Sequence, residues 1–168
     1  MRGFLVFSLF TVALAAPSRA DVTVRFIEGA PKDRFEILSV EGCGSAPLSL
    51  TIDLQGSAGA LVFDVTDAGA GVEVFQPFEL VAGGELVVAS TDVTDGDKEL
   101  TLDLSGLGPG AVVGFTIDVD DTIGAREITV SDAEIEGAEV RVSSDIGRAA
   151  AQFGGDATAV LPTTACGA

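Results

Sequence analysis

Histidine is absent from this chain, and cysteine occurs only twice. Without an imidazole, neither a Ser-His-Asp nor a Cys-His catalytic arrangement can form, and zinc lacks its usual nitrogen ligand. Serine–lysine chemistry has little support, because nothing in the sequence places a serine beside Lys32 or Lys98. We therefore expect a protein that is not an enzyme. A hydrolase built on paired carboxylates stays open, since Asp and Glu are plentiful.

Tryptophan, tyrosine and asparagine are also missing, so phenylalanine supplies every large ring. Aromatic platforms for sugars normally use Trp or Tyr, whose polar atoms tolerate water. Their absence counts against an ordinary carbohydrate-binding module without excluding one. The lack of Asn removes every N-glycosylation sequon.

Positive charge is scarce, with 9 basic residues against 26 acidic residues and a net charge of −17. Nucleic acids and anionic membranes bind basic patches, so neither is expected as a partner. A strongly acidic chain suits cation binding, a salty environment or solubility through self-repulsion. A plain solvated acidic surface is the simplest alternative.

Only one long apolar run is present, at residues 3–16, after the positive start Met1-Arg2. Ser18-Arg19-Ala20 then places small residues as a signal peptidase requires, which predicts a cleaved signal peptide at residues 1–20. The alternative is an uncleaved anchor, but the run is shorter than the roughly twenty residues that span a bilayer. We expect a secreted protein, extracellular or periplasmic, whose mature part is a single domain at residues 21–168.

Export to an oxidising compartment would allow the two cysteines, Cys43 and Cys166, to form a disulfide. In an oxidising compartment a lone pair of cysteines most simply forms a disulfide. Two free buried thiols are the alternative. We expect a disulfide between Cys43 and Cys166.

Alternation of apolar and polar residues dominates the rest of the chain. Residues 48–54 place Leu48, Leu50 and Ile52 on one face and Ser49 and Thr51 on the other. Similar runs recur every eight to twelve residues or so, separated by glycine-rich turns. The pattern predicts an all-β fold, an antiparallel β-sandwich (jelly-roll-like or Ig-like) of about ten short strands. Residues 148–153 fit either a helical turn or a further strand.

The densest group of acids is Asp118, Asp120 and Asp121, at the end of one of these strands. Asp118 and Asp120 point to the same side, and Ca²⁺ is bound by carboxylate and carbonyl oxygens. The segment therefore predicts a calcium site, although it does not match an EF-hand loop. Asp95 and Asp97 form a second, weaker candidate site. Exposed aspartates, or a turn capped by one of them, are the alternative.

Several ordered segments support a resemblance to a known group of proteins. They are FIEGAPKDRF at 26–35, IDLQGSAG at 52–59, LVFD at 61–64, VFQPF at 74–78, VTDGD at 93–97, FTIDVDD at 115–121 and EGA at 136–138. In these segments the chain resembles small secreted bacterial proteins similar to the core protein of sponge aggregation factor. The resemblance implies calcium-assisted adhesion or self-association. In this chain only Asp118, Asp120 and Asp121 match a cation-binding role.

These observations lead us to expect a secreted adhesion or aggregation-type binding domain, with Ca²⁺ as the stabilising ion and no other cofactor. Its partner would be an extracellular protein, a glycan or a second copy of the chain. The alternatives are a glycan-binding β-sandwich, a structural envelope protein, and a small hydrolase that uses paired carboxylates.

Overall fold

The computed structural model describes residues 20–40, 46–68, 75–123, 129–145 and 147–162. The predicted signal peptide (residues 1–20, apart from Ala20), Cys43 and Cys166 lie outside these ranges, so signal cleavage and the disulfide stay predictions. No helix in the described part of the chain is long and apolar enough to span a membrane.

The described residues form twelve β-strands and two short 3₁₀ helices, the latter at Leu54–Gly56 and Gly84–Leu86. The strands are β1 Ala20–Ile27, β2 Asp33–Ser39, β3 Leu48–Asp53, β4 Val62–Phe63, β5 Glu79–Ala82, β6 Val87–Ser90, β7 Glu99–Leu104, β8 Val112–Ile117, β9 Val119–Asp120, β10 Glu139–Ser144, β11 Gly147–Gln152 and β12 Thr158–Pro162.

Ten strands form two five-stranded antiparallel sheets that pack together, which confirms the predicted all-β sandwich. The first sheet has the order β12-β1-β2-β8-β5, and the second has the order β11-β10-β3-β7-β6. Strands β4 and β9 form a separate short ladder. On one side of the sandwich β11 contacts β12, whereas β5 and β6 are the outer strands on the other side.

Alternation places the apolar side chains between the sheets, as predicted. Leu50 lies opposite Leu102, and Ile52 lies opposite Leu100, with all four side chains buried. Since successive side chains of a strand point to opposite faces, the intervening Thr51 is left on the outer face, where its hydroxyl bonds that of Thr101 at 2.8 Å. Residues 148–153 fall almost entirely in β11, so the strand alternative is correct there.

Phenylalanine rings fill the centre of the sandwich. Phe35 lies 5.2 Å from Phe26, 5.1 Å from Phe115 and 6.4 Å from Phe153, measured between ring centroids. These contacts join β1, β2 and β8 of the first sheet to the chain that follows β11. Phe75 is different, with 37% of its surface exposed.

Strand β8 departs from the alternating pattern, because Val113 to Ile117 are all buried. Gly114 explains part of this burial. A side chain there would contact Val81, Ala82 and the guanidinium of Arg34, which cover the outer face of the strand. The chain therefore enters the following aspartate-rich segment from a strand that is enclosed on both faces.

Replacing Phe35 by alanine should lower the free energy of unfolding by about 3–5 kcal/mol, because a buried ring is lost and a cavity remains. The matched control is Phe75→Ala, which removes the same ring from an exposed position and should cost much less. Urea denaturation measures both variants. Equal losses would contradict a core centred on Phe35.

Candidate functional site

The junction of β8 and β9 brings three parts of the chain together. Strand β8 ends beside β2, where Ile117 lies opposite Asp33. The chain then moves to β4, with Phe63 opposite Val119 and Val62 opposite Asp120. The Asp64 amide donates to the Asp118 carbonyl at 3.2 Å, which extends this ladder by one pair.

Four aspartates are buried at this junction, and we call them the aspartate cluster. Their exposed fractions are 2% for Asp33, 3% for Asp64, and 5% each for Asp118 and Asp120. Carboxylates are seldom buried this completely unless they are paired with a positive group. In the part of the chain that the structure describes, neither Asp33, Asp64 nor Asp118 forms an ion pair with a lysine or arginine.

Asp33 has a structural role within the cluster. Its Oδ1 accepts a hydrogen bond from the Gly29 amide at 3.0 Å, and its Oδ2 accepts one from the Val119 amide at 3.2 Å. One carboxylate thus ties the turn before β2 to strand β9, and satisfies two backbone donors that burial would leave without water. Asp33 therefore sets the position of the chain between Asp118 and Asp120.

Asp64 lies between two other acids. It shares a side-chain hydrogen bond with Asp120 and another with Asp95. Asp95 sits at the edge of the cluster and accepts hydrogen bonds from the amides of Val65 at 2.7 Å and Thr66 at 2.8 Å, and from the Thr66 hydroxyl. The hydrogen bonds from Thr66 and Val65 hold the pKa of Asp95 below its ordinary value.

Burial and mutual repulsion dominate the electrostatics of the cluster. Burial, followed by the charges of Asp120, Asp33 and Asp64, raises the pKa of Asp118 to about 8. Burial is also the main cause that raises the pKa of Asp33 to about 7, against its two backbone hydrogen bonds. Burial and the hydrogen bond with Asp120 raise the pKa of Asp64 to about 6. Ionised together, these groups destabilise one another.

Two carboxylate oxygen atoms of the cluster could still accept a hydrogen bond or bind a cation. Asp64 Oδ1 and Asp118 Oδ2 are shielded from solvent and have no hydrogen-bond partner among the described residues. A buried carboxylate oxygen without a partner is costly, since it has lost its water and gained nothing in return. A proton, an ordered water or a cation would satisfy these two oxygen atoms.

The residues predicted from the sequence are thus only partly brought together. Asp118 and Asp120 join one buried cluster, and Asp95 reaches its edge through Asp64. Asp121 is half-exposed where the chain turns away, and Asp97 Oδ2 accepts from the amide and hydroxyl of Thr94 at 2.7 and 2.8 Å. Across the described ranges, no three His, Cys, Asp or Glu side chains stand ready to hold a metal ion.

Sequence reasoning missed Asp33 and Asp64, although the pattern held a signal for one of them. Asp33 is in phase with Phe35 and Ile37 on β2, so alternation already placed it on the buried face. Asp64 had no comparable signal, because β4 has only two residues. Comparison with known proteins adds no relative, since no family model, curated protein or solved structure matches the chain.

In buffer with a chelator, the free energy of unfolding should fall as the pH rises from about 4 to about 8. The folded protein keeps protons on Asp33, Asp64 and Asp118 that the unfolded chain releases near pH 4, so rising pH favours unfolding. Each pKa unit of such a shift corresponds to about 1.4 kcal/mol, so the fall should be several kcal/mol. Urea denaturation at pH 5 and pH 8 measures it.

Asp118→Asn should remove much of that fall, because the amide cannot ionise. The control Asp132→Asn, at an exposed position, should retain it. Equal stability of the unsubstituted protein at the two pH values would show that the cluster does not repel itself.

Proposed function

We propose that this chain is a secreted, non-enzymatic binding domain of the adhesion or aggregation type, stabilised by Ca²⁺. The observation that carries the proposal is the aspartate cluster, whose four carboxylates are buried at the meeting point of β2, β4 and β9. A divalent cation would offset the burial and the mutual repulsion that otherwise keep protons on these groups.

Calcium suits the cluster for reasons of ligand chemistry. Ca²⁺ takes six to eight oxygens from carboxylates, backbone carbonyls and water, in flexible geometry. Extracellular modules bind it with dissociation constants of about 10⁻⁴–10⁻³ M, so a site that is only partly formed beforehand is sufficient. Because the carboxylates do not converge into a ready site, binding requires side-chain rotations, with backbone or water oxygens to complete the coordination.

Two features support a binding role over catalysis. The chain has no histidine, and the aspartates of the cluster are covered, whereas a paired-carboxylate hydrolase needs its two carboxyls open to the substrate. The outer strands β5 and β6 also expose apolar side chains, among them Leu80, Val81 and Val88. Exposed apolar edge strands are surfaces on which other chains can pair.

Calcium at millimolar concentration should raise the Tm of the mature protein by several degrees at pH 7.5. A calcium concentration about ten times the dissociation constant stabilises by about 1.4 kcal/mol, and 1 kcal/mol corresponds to about 2–4 °C at this size. Calorimetry with calcium and with chelator measures the shift. Beads coated with the protein, mixed with and without calcium, then test for adhesion by their aggregation.

Asp120→Ala should abolish both the Tm shift and the aggregation of beads, while Asp132→Ala should preserve both. A Tm shift without aggregation would leave a calcium-stabilised domain and remove adhesion through self-association. No Tm shift in the unsubstituted protein would remove the metal from the proposal.

A specific observation favours glycan binding as a second candidate function. The outer face of the second sheet carries a hollow of about 420 Å³, lined by Ser49, Thr51, Arg141, Val142, Ser143, Arg148, Ala149 and Ala150. Arg141 is occupied by ion pairs to Asp53, Glu139 and Glu99. Arg148 is exposed and makes no ion pair with the acids of the described ranges. Hydroxyl groups beside an available guanidinium suit a sugar that carries a carboxylate or sulfate.

If the hollow binds glycans, a glycan array should show signals concentrated among acidic sugars, and Arg148→Ala should lower them at least about fivefold, since a charge-assisted hydrogen bond contributes roughly 1.5–3 kcal/mol. The matched control is Arg25→Ala, which removes an exposed arginine from the outer face of the first sheet. An array without signal, or equal losses in the two variants, would contradict this candidate.

A further inference from the structure

The pairing of β4 with β9 places three aspartates on one face of a single ladder. Val62 lies opposite Asp120, and the amide of Asp64 bonds the carbonyl of Asp118, so Asp64 is opposite Asp118. Directly opposed residues of antiparallel strands share a face, and so do residues two apart on one strand. Asp64, Asp118 and Asp120 therefore share one face, while Phe63 and Val119 pack into the core from the other.

We infer that the calcium site rests on Asp64, Asp118 and Asp120, with Asp64 supplying a ligand from the first half of the chain and Asp121 supplying none. This inference depends on the calcium binding proposed above and assigns its donors. The sequence predicted Asp118, Asp120 and Asp121 as ligands, and the ladder replaces Asp121 with Asp64.

Oxygen atoms without a hydrogen-bond partner among the described residues identify Asp64 and Asp118 as ligands, independently of their charge. Asp64 and Asp118 are at least nine-tenths buried, and each has one oxygen without a hydrogen-bond partner among the described residues. The carboxyl of Asp64 also lies close to that of Asp120. A cation bound between them would contact oxygens from both strands at once.

Geometry also excludes the other acids. Asp121 follows Asp120 by one residue, and alternation turns it away from the shared face into half-exposed surroundings. Asp97 is engaged with Thr94 in its own turn. Asp33 already accepts two backbone amides, so it holds the ladder in place instead of offering a vacant oxygen.

The cation would also act as a clamp on the ladder. Only two residues of each strand pair between β4 and β9, so this ladder contributes little stability of its own. Across it the Asp64 amide bonds the Asp118 carbonyl at 3.2 Å. Calcium should slow hydrogen exchange at the Asp64 amide more than at the centre of β3.

Calorimetric titration of the mature protein with CaCl₂ tests the assignment. Asp64→Asn and Asp118→Asn should each weaken binding at least about tenfold, because each removes a charged ligand while preserving the shape of the side chain. The controls Asp121→Asn and Asp97→Asn should bind within about twofold of the unsubstituted protein. Amide exchange of Asp64, with and without calcium, supplies a second measurement that does not depend on variants that fold.

The outcomes separate this inference from the proposed function. If the unsubstituted protein does not bind calcium, the proposed metal falls and this assignment falls with it. If calcium binds but Asp64→Asn binds as well as the unsubstituted protein, or Asp121→Asn loses binding, the ladder site is wrong and the calcium proposal stands. Calcium binding without slower exchange at Asp64 would also overturn the ladder site.

Discussion

Burial of strand β8 on both faces is the constraint on which the rest of the structure depends. The strand is paired with β2 on one side and β5 on the other, and its Phe115 stacks on Phe35 in the core. Gly114 lets Val81, Ala82 and Arg34 cover the opposite face. A chain enclosed in this way cannot return its next residues to solvent at once, so Asp118 and Asp120 are buried although both are acids.

The cost of this arrangement is electrostatic. Aspartates normally gain from hydration, and burying several of them together loses that hydration and adds repulsion. Asp33 recovers part of the loss by accepting two backbone amides. Asp64 Oδ1 and Asp118 Oδ2 do not recover it within the described residues. A proton or a cation that binds at such a buried cluster has a stronger effect on stability than one that binds at the solvated acidic surface.

The outer surfaces follow simpler rules. On the second sheet, Arg141 lies among Asp53, Glu99 and Glu139, which pair across β3, β7 and β10. These groups are partly solvated, so each ion pair contributes little to stability. Together they still fix a polar face next to the exposed Arg148. The two candidate binding sites, the covered aspartate cluster and the open hollow beside Arg148, thus lie in different parts of the molecule.

Alternation of apolar and polar residues by itself determined the all-β class and most of the core, because a period of two places every second side chain on one face whatever the partner strand is. It correctly placed Leu48, Leu50 and Ile52 inside, and its phase on β2 fits the burial of Asp33. Tertiary structure alone decided which acids meet. Asp64 and Asp118 are distant in sequence and become neighbours only because β9 leaves β8 to pair with β4, a choice set by long-range hydrogen bonds. Local patterning cannot encode such a register, so the sequence pointed to Asp121 where the fold supplies Asp64.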